Sequence, residues 1–409
     1  MGGVSKRGGR MDIVLEESAS LLIRWLHIVA GVCWIGSSFY FVALDLSLKK
    51  RDGLPEGAGG EAWQVHGGGF YNMVKFLVAP ARMPDELTWF KWEAYTTLLS
   101  GLALLVIIYY LNAELFLIDR AVLDLAPWQA IVLSIAGIAV GWHVYDSLCK
   151  SRLGRHDWAL GVIGYVLLVA ATYGYTRLYG GRGAFIQMGS IIGSIMVLSV
   201  FATIIPNQHQ VVADLLAGRR PDPALGAAGK TRSVHNNYLT LPVIFLMFSN
   251  HYPLVFGTRY NWLIFAIVLA IGPVIRHFFN SRHAGKPSPW WTWGVAAAGI
   301  VAIVLLSRAG PANVEPAAAT SPRPSFDDIT QIVSTRCAMC HATEPAYPGF
   351  AMAPKAVLLD EPAHIYARHR QIALQAAYSS AMPPGNVSAM TDQERATIAA
   401  WIADGAKPF

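Results

Sequence analysis

The chain has 409 residues, of which 54% are hydrophobic and only 14% are charged, and it carries 13 tryptophans. This balance excludes an ordinary soluble globular protein and indicates an integral membrane protein. The net charge of +6 follows from basic loops between apolar segments and does not indicate nucleic-acid binding.

Apolar windows of about 20 residues, the length that crosses a bilayer as a helix, recur along the chain. Trp or Tyr near many of their ends suits the membrane interface. The eight windows cover Leu21–Leu46, Trp92–Leu111, Trp128–Leu148, Trp158–Leu178, Ala184–Pro206, Tyr238–Phe256, Tyr260–Phe279 and Trp290–Ser307. Because a helix satisfies its own backbone hydrogen bonds in lipid, the sequence predicts an all-α bundle of eight transmembrane helices over residues 20–307.

Basic residues gather in alternate loops, and this asymmetry predicts the orientation of the bundle. The basic clusters are Lys49, Lys50, Arg51, Lys75 and Arg82, then Lys150, Arg152 and Arg155, then Arg219, Arg220, Lys230 and Arg232, and finally Arg276, Arg282 and Lys286. The positive-inside rule then places both termini outside the cytoplasm.

Residues 1–19 are interpreted as an N-terminal leader. Lys6, Arg7 and Arg10 conflict with an external N-terminus, and initiation at Met11 would remove that conflict. The first span is interpreted as a retained helix, because it is too long for a signal-peptide core and no small-residue cleavage site follows it.

Residues 308–325, after the eighth span, are rich in Pro and Ala and predict an extended, semi-rigid linker. Residues 326–409 then form a small soluble domain. Its first and last helices are predicted to begin with capping boxes, in which Ser325 and Thr391 are each followed three residues later by an acidic residue. Two such helices can pack together around a flat group.

The hexapeptide "RCAMCH", residues 336–341, is the strongest chemical motif in the chain. One helical turn presents Cys337 and Cys340 to two vinyl groups of a haem, while His341 reaches the iron from the same side. The alternatives are a chance match and a structural disulfide, and a structural zinc site needs more ligands than this domain offers. The motif predicts one covalent haem c in a class I cytochrome c domain. Because bacteria attach haem c outside the cytoplasm, it also predicts a multi-pass inner-membrane protein whose cytochrome domain lies in the periplasm.

A sixth ligand to the haem iron is expected downstream of the motif. Met382 in "AMPPG" precedes two prolines that hold its thioether in a fixed loop, and it is the favoured candidate. Met352 and Met390 are competitors. His/Met ligation raises the reduction potential, so the domain is expected to accept electrons.

Two histidines within the apolar segments are candidates for a second, non-covalent haem b. His27 and His251 lie at similar predicted depths on the first and sixth spans, and two neutral imidazoles can clamp a haem between helices. The alternative is a hydrogen-bonded bundle histidine or an exposed tip. Cys33 and Cys149 lie on different helices and are interpreted as buried structural thiols.

A second polar set is predicted toward the cytoplasmic ends of the spans. Imidazoles, amides and a carboxylate at one depth can bind a planar polar molecule and take its protons. Some of these residues can equally cap helix ends, and "HGGGF" can be only a flexible turn. The set comprises His66, Glu93, His143, Asn207, Gln208, His235, Asn236 and Asn237.

Several longer segments carry a specific resemblance over nearly the whole chain from Met11. They are "WIGSSFYF", "HGGGFYNMVK", "WFKWEAYTT", "GRGAFIQMGS", "IIPNQ" and "HNNYLTLPVIFLMFSNHYP", followed by the cytochrome c motif. The chain resembles the bacterial membrane-bound urate oxidases, also called urate hydroxylases of the PuuD type. The resemblance implies oxidation of urate to 5-hydroxyisourate in purine catabolism, with cytochrome c taking the electrons and without hydrogen peroxide. "LHIVAGVCWIG" is also similar to helices of other membrane proteins that bind haem b.

This function requires a general base and a partner that empties the haem. Glu93 or a neutral imidazole would remove a proton, amides would hold the purine carbonyls, and a soluble cytochrome c or terminal oxidase would take the electrons. A urate site at the cytoplasmic end would need a carrier across the bilayer at His27 and His251. A site on the outer face would not.

Two functions from other classes remain open from the residues alone. A respiratory oxidase subunit with a fused cytochrome c would need several histidines at helical spacing on facing helices, and this bundle has mostly single ones. A transporter with an electron-carrier domain would use the polar set as a solute path.

Overall fold

The computed structural model describes residues 6–76, 80, 83–311, 323–348 and 350–408, together with the side chains of these residues except 6–14 and 16. The molecule is mostly helical, with 69% of its residues in helices. The predicted linker lies largely outside the described residues, and so do the side chains of Lys6, Arg7 and Arg10.

The first part of the chain forms a helical bundle with one small sheet. Short π-helical turns continue α2 through Leu105–Tyr110 and join α6 to α7 through Val200–Ile204. The elements are α1 (Lys6–Ser47), β1 (Ala58–His66), β2 (Gly69–Phe76), α2 (Trp92–Leu104), α3 (Ala113–Phe116), α4 (Pro127–Lys150), α5 (Asp157–Tyr175), α6 (Gly181–Ser199), α7 (Ile205–Leu216), α8 (Pro223–Phe248), α9 (Pro253–Phe256), α10 (Asn261–His283) and α11 (Trp291–Ser307).

Six helices in the described ranges are long and apolar enough to cross a membrane. They are Glu17–Ser47, Trp92–Tyr110, Pro127–Lys150, Asp157–Tyr175, Gly181–Leu216 and Asn261–His283. These match six of the eight predicted spans. The other two predicted spans correspond to α8, which ends at Phe248 instead of Phe256, and to α11, which is 17 residues long.

The core of the bundle forms where α8 packs against both α6 and α10. Phe185, Met188, Leu246 and Phe265 are almost completely buried in one apolar cluster. Small residues allow the close approach of α8 and α10, because a Cβ at Gly272 would collide with the Pro242 ring. Pro242 and Pro273 lie inside α8 and α10 respectively.

The sheet is an antiparallel hairpin, which the predicted all-α fold did not include. Its turn is Gly67–Gly68, and both residues have positive φ, as the favoured two-residue hairpin turns require. An ion pair of 2.5 Å between Lys75 and Asp45 ties the hairpin to the end of α1. "HGGGF" is therefore the end of a hairpin.

The C-terminal domain is a small helical unit with its own apolar core. Ile329, Val333, Ile398 and Trp401 are buried in that core, where α12 and α16 pack against each other. Both predicted capping boxes are present, on Ser325 with Asp328 and on Thr391 with Glu394. The elements are α12 (Phe326–Arg336), α13 (Ala338–His341), α14 (Pro362–Ala367), α15 (His369–Ile372) and α16 (Asp392–Ala403).

The C-terminal domain contacts one end of the bundle. The Ser380 N–H donates to the Gly257 carbonyl at 3.2 Å, and the Arg120 N–H donates to the Gly385 carbonyl at 3.3 Å. Gly385 approaches the Glu114 carbonyl so closely that a Cβ would collide with it. The contacted loops follow α2 and α9, and they lie at the end of the bundle opposite the basic loops after α4 and α10.

Candidate functional site

The sequence RCAMCH forms the junction of α12 and α13. The Cys337 and Cys340 thiols are free. The His341 N–H donates to the Cys337 carbonyl at 2.9 Å, which places the motif on one helical turn. The His341 Nδ1 lies 2.9 Å from the Val357 carbonyl oxygen. A protonated Nδ1 that donates there leaves Nε2 with its lone pair, the state in which an imidazole binds a metal. Burial raises the pKa of the Cys337 thiol to about 12, so this thiol is protonated at neutral pH.

The loop that carries Met382 is fixed from two sides. Its N–H donates to the Gln375 carbonyl at 2.9 Å, and its carbonyl accepts from the Arg395 guanidinium at 2.8 Å. Arg395 is 4% exposed and also donates to the Ala376 carbonyl. Its positive charge is satisfied by backbone oxygens, which makes Arg395 a positioning residue for the Met382 loop.

The competing methionines occupy different surroundings. Met352 is 72% exposed, whereas Met390 is buried and its N–H donates to the Asn386 side chain. Met382 and Cys337 both pack against the apolar core of the domain. In the described part of the chain, no group of three or more His, Cys, Asp or Glu side chains is placed to hold a metal ion.

His27 and His251 lie in unlike places. The His27 Nδ1 is 3.0 Å from the Thr97 carbonyl oxygen, and its ring packs over Gly101 of α2. His251 is exposed in a short 3-10 turn after α8. Within the described ranges no hydrogen bond or ring stacking joins the two imidazoles, and a haem b between them stays a prediction. Cys33 is exposed and Cys149 half-buried, rather than buried as predicted.

The predicted polar set is dispersed over the bundle. His66 lies at the hairpin turn and His143 on the outer side of α4, and neither is covered by protein. Glu93 is half-buried in the first turn of α2. Gln208 is exposed, and the Asn207 amide donates to the Leu225 carbonyl at 3.1 Å. Catalytic roles for these residues stay predictions.

Three members of the set, all on α8, form hydrogen bonds with residues of neighbouring helices. The His235 Nδ1 lies 2.9 Å from the Tyr145 hydroxyl, and the Asn236 amide donates to the Met196 carbonyl at 2.9 Å. The Asn237 Oδ1 accepts from the Asn280 amide at 3.0 Å and from the Arg276 Nε at 3.2 Å.

Two buried arginines in this region were not singled out as site residues from the sequence. The Arg276 guanidinium lies 3.8 Å from the centroid of the Phe39 ring, and the Arg232 guanidinium donates to Asp146 at 2.6 Å. Both had been counted only as basic loop residues that set the topology. The signal that separates them from loop residues is their position within long helical segments.

The opposite end of the bundle holds a second polar region, beneath the C-terminal domain. The Asn250 amide donates to the Tyr109 hydroxyl at 2.6 Å. Tyr109 lies within electrostatic range of Arg182. The Arg182 guanidinium lies between two phenyl rings, 5.6 Å from the centroid of Phe116 and 5.3 Å from that of Phe256.

A cleft at this end separates the bundle from the C-terminal domain. Its walls include Asp119, Gly180 and Arg182 of the bundle and Ala381 and Gly385 of the C-terminal domain. Burial raises the pKa of the Asp119 carboxyl above its ordinary value, an effect opposed by a hydrogen bond from the Ala121 N–H and by Arg395. Reasoning from the sequence missed this cleft, because it depends on how two domains meet.

Comparisons with known proteins identify one sequence family. Residues 13–307 match the sequence family described as "Urate oxidase N-terminal". Neither the curated proteins nor the solved structures include a match to this chain. The matched residues cover the helical bundle from α1 to α11 and stop before the C-terminal domain. The chain therefore belongs to the urate oxidase N-terminal family.

Proposed function

We propose that the protein is a membrane urate oxidase that converts urate to 5-hydroxyisourate and passes the electrons to a haem c in its own C-terminal domain. Family membership over residues 13–307 supports urate as the substrate. One observation supports the C-terminal domain as the electron acceptor: the domain that contains RCAMCH contacts the bundle directly.

The residues of the C-terminal domain fit a haem c. Two free thiols lie on one helical turn, His341 is held through Nδ1, and Met382 lies on a loop fixed at both its N–H and its carbonyl. Apolar side chains surround this region. Bound there, haem would supply one-electron redox chemistry, and Cys337 and Cys340 would anchor it covalently while His341 and Met382 would hold its iron.

The reaction balances without oxygen as a reactant. The urate anion and one water molecule give 5-hydroxyisourate, one proton and two electrons, and a new C5–O bond forms. Because the domain takes one electron at a time, a soluble cytochrome c or a terminal oxidase must empty it twice in each turnover. No hydrogen peroxide is formed by this route.

The proposed location is the bacterial inner membrane, with the C-terminal domain in the periplasm. Six apolar helices support a multi-pass protein, and we propose that α8 and α11 complete a bundle of eight spans. An even number of spans places both ends of the chain on the same side, as the distribution of basic loops predicts.

The test is an anaerobic titration of the purified, oxidised full-length protein with urate. We expect the visible spectrum of reduced haem c to appear, with one urate consumed for every two electrons delivered. No reduction by urate, together with full reduction by dithionite, would contradict the proposal. It would instead favour a transporter with an electron-carrier domain.

The same samples test the proposed haem b and the oxidase alternative. A pyridine haemochrome spectrum distinguishes haem b from haem c, and haem c alone would rule out a carrier at His27 and His251. Oxygen consumption with reduced cytochrome c and no urate would indicate a respiratory oxidase subunit.

A further inference from the structure

We propose that the helical bundle holds the sixth iron ligand of the C-terminal domain in place, because the Met382 loop, residues 379–386, is itself the segment that contacts the bundle. Contact between the two domains then determines how firmly the Met382 sulfur stays on the haem iron. This role rests on the proposed function, since it presupposes the haem c, but it does not depend on which substrate supplies the electrons.

Two hydrogen bonds join the Met382 loop to the bundle, one on each side of Met382. Before it, the Ser380 N–H donates to the Gly257 carbonyl at 3.2 Å. After it, the Arg120 N–H donates to the Gly385 carbonyl at 3.3 Å. Because the chain is attached to the bundle close to Met382 on either side, the path of the backbone at Met382 depends on the bundle.

The chain passes from one apolar core to the other at Met382. Ala381 is 4% exposed and belongs to the apolar cluster of the bundle, together with Phe256. The next residue, Met382, packs against the core of the C-terminal domain. Adjacent Cα atoms are only about 3.8 Å apart, so separation of the two domains must either expose Ala381 or displace Met382.

The bundle approaches the start of the loop at backbone distance. A Cβ at Gly257 would lie 2.8 Å from the Ser379 Cβ and 2.9 Å from the Ser380 nitrogen, which leaves no room for a side chain. Ser379 is fully buried, and its hydroxyl donates to the Leu374 carbonyl at 2.7 Å. Close-packed groups transmit displacement to one another, so a shift of the backbone at Gly257 moves the Met382 loop.

The other side of the loop is held by the C-terminal domain itself. The Arg395 guanidinium donates to the Ala376 carbonyl at 2.6 Å and to the Met382 carbonyl at 2.8 Å. Asp119 of the bundle lies within electrostatic range of this guanidinium. A carboxylate there attracts the group that holds the Met382 carbonyl, so docking also favours the loop electrostatically.

The position of the Met382 sulfur matters because a thioether is a soft, neutral ligand, whereas imidazole suits iron well. A loop that presents the sulfur in one fixed place lowers the entropy cost of keeping it on the metal. Methionine ligation raises the reduction potential of a haem. Docking on the bundle therefore keeps the domain in the state that accepts electrons most readily.

The test is an imidazole titration of the oxidised full-length protein, which requires no urate. Arg120→Pro removes the N–H that donates to Gly385. Proline suits this position, because Arg120 is the second residue of a turn in which the Val122 N–H donates to the Asp119 carbonyl. Arg120→Ala is the matched control, since it removes the same exposed side chain but keeps the N–H.

We expect Arg120→Pro to bind imidazole about 3- to 10-fold more tightly than the wild type, because one hydrogen bond no longer holds the loop. The red absorption band of methionine sulfur on ferric haem should weaken, and the midpoint potential should fall. Gly257→Ala should change all of these readouts in the same direction. Gly174→Ala, at the end of α5, should change none, because its Cβ meets open space. Met382→Ala gives the affinity of an iron that has lost this ligand.

Equal imidazole affinities in Arg120→Pro, Gly257→Ala and the wild type, with covalent haem present in all three, would overturn the inference. An equally large change in Arg120→Ala would also overturn it, because the side chain and not the backbone contact would then be responsible. Neither outcome affects the reduction of the wild-type haem by urate, on which the proposed function depends. The expected imidazole affinities in a protein whose haem urate does not reduce would support the role of the bundle and contradict the proposed substrate.

Discussion

At the scale of single residues, the chemistry of the C-terminal domain depends on how each side chain is held. His341 donates through Nδ1 to a backbone carbonyl, which fixes the ring and leaves Nε2 for a metal. Arg336 is held between Glu394, at 2.9 Å, and the Ser388 carbonyl. These contacts join α12 to α16 and stabilise the turn that carries both thiols.

The covalent anchoring of haem can be tested on the cysteines alone. The variant Cys337→Ser/Cys340→Ser should carry no haem that survives denaturing electrophoresis, because no thiol remains to form a thioether bond on that turn. Cys33→Ser/Cys149→Ser is the matched control, since both of its thiols lie in the bundle. Equal haem staining of the two variants would contradict covalent attachment at the motif.

The residues of the haem motif could be identified from the sequence, whereas the residues that line the cleft could not. Cys337, Cys340 and His341 form one contiguous pattern whose spacing carries its meaning. Arg182 and Asp119 lie far apart in the chain, and their proximity arises only when α6, the loop after α3 and the C-terminal domain meet. No local pattern encodes such a meeting.

At the scale of elements, the crossing of α8 and α10 determines how tightly the bundle closes. Gly272 of α10 faces Pro242 of α8, and the buried Asn237–Arg276 pair joins the same two helices. Hydrophobic periodicity predicts that such helices exist and roughly where they lie. It does not predict their rotation, so the pairing of Asn237 with Arg276 had no signal in the sequence.

The close crossing makes a specific prediction about Gly272. Gly272→Ala should destabilise the bundle by about 1–3 kcal/mol, because its methyl group collides with Pro242 and the helices must move apart. Gly294→Ala in α11 is the control, since its Cβ meets open space and alanine favours a helix. The measurement is the midpoint of thermal unfolding in detergent. An equal midpoint for Gly272→Ala and the wild type would show that the crossing is loose.

The β1–β2 hairpin is an element that the sequence analysis did not predict. Trp63 and Val65 alternate with polar residues before Gly67–Gly68, which is a strand and turn signal. That signal was read as a polar motif because apolar spans dominate the composition on either side. Alternation over so few residues is weak evidence next to windows of about 20 apolar residues.

At the scale of the whole molecule, the proposed electron transfer from the bundle to the C-terminal domain requires that the two stay in contact. Gly257 and Gly385 form backbone contacts across the interface, and Tyr347 lies within electrostatic range of both Glu114 of the bundle and Cys340 of the haem motif. The domain therefore presents its haem motif side to the bundle.

Docking can be weakened without touching the haem ligands by a substitution at Gly385. Gly385→Val places a side chain against the Glu114 carbonyl and demands a left-handed backbone that valine avoids. Gly405→Ala is the control, because Gly405 also has positive φ but its Cβ meets open space. It thus reports the backbone cost alone. We expect both variants to carry haem and to be reduced fully by dithionite. Only Gly385→Val should be reduced slowly by urate. Its rate should be at least tenfold below that of the wild type if about 1.4 kcal/mol of docking free energy is lost. Stopped-flow spectra of the haem measure both rates. Equal rates with urate would mean that the domain takes its electrons without resting on the bundle.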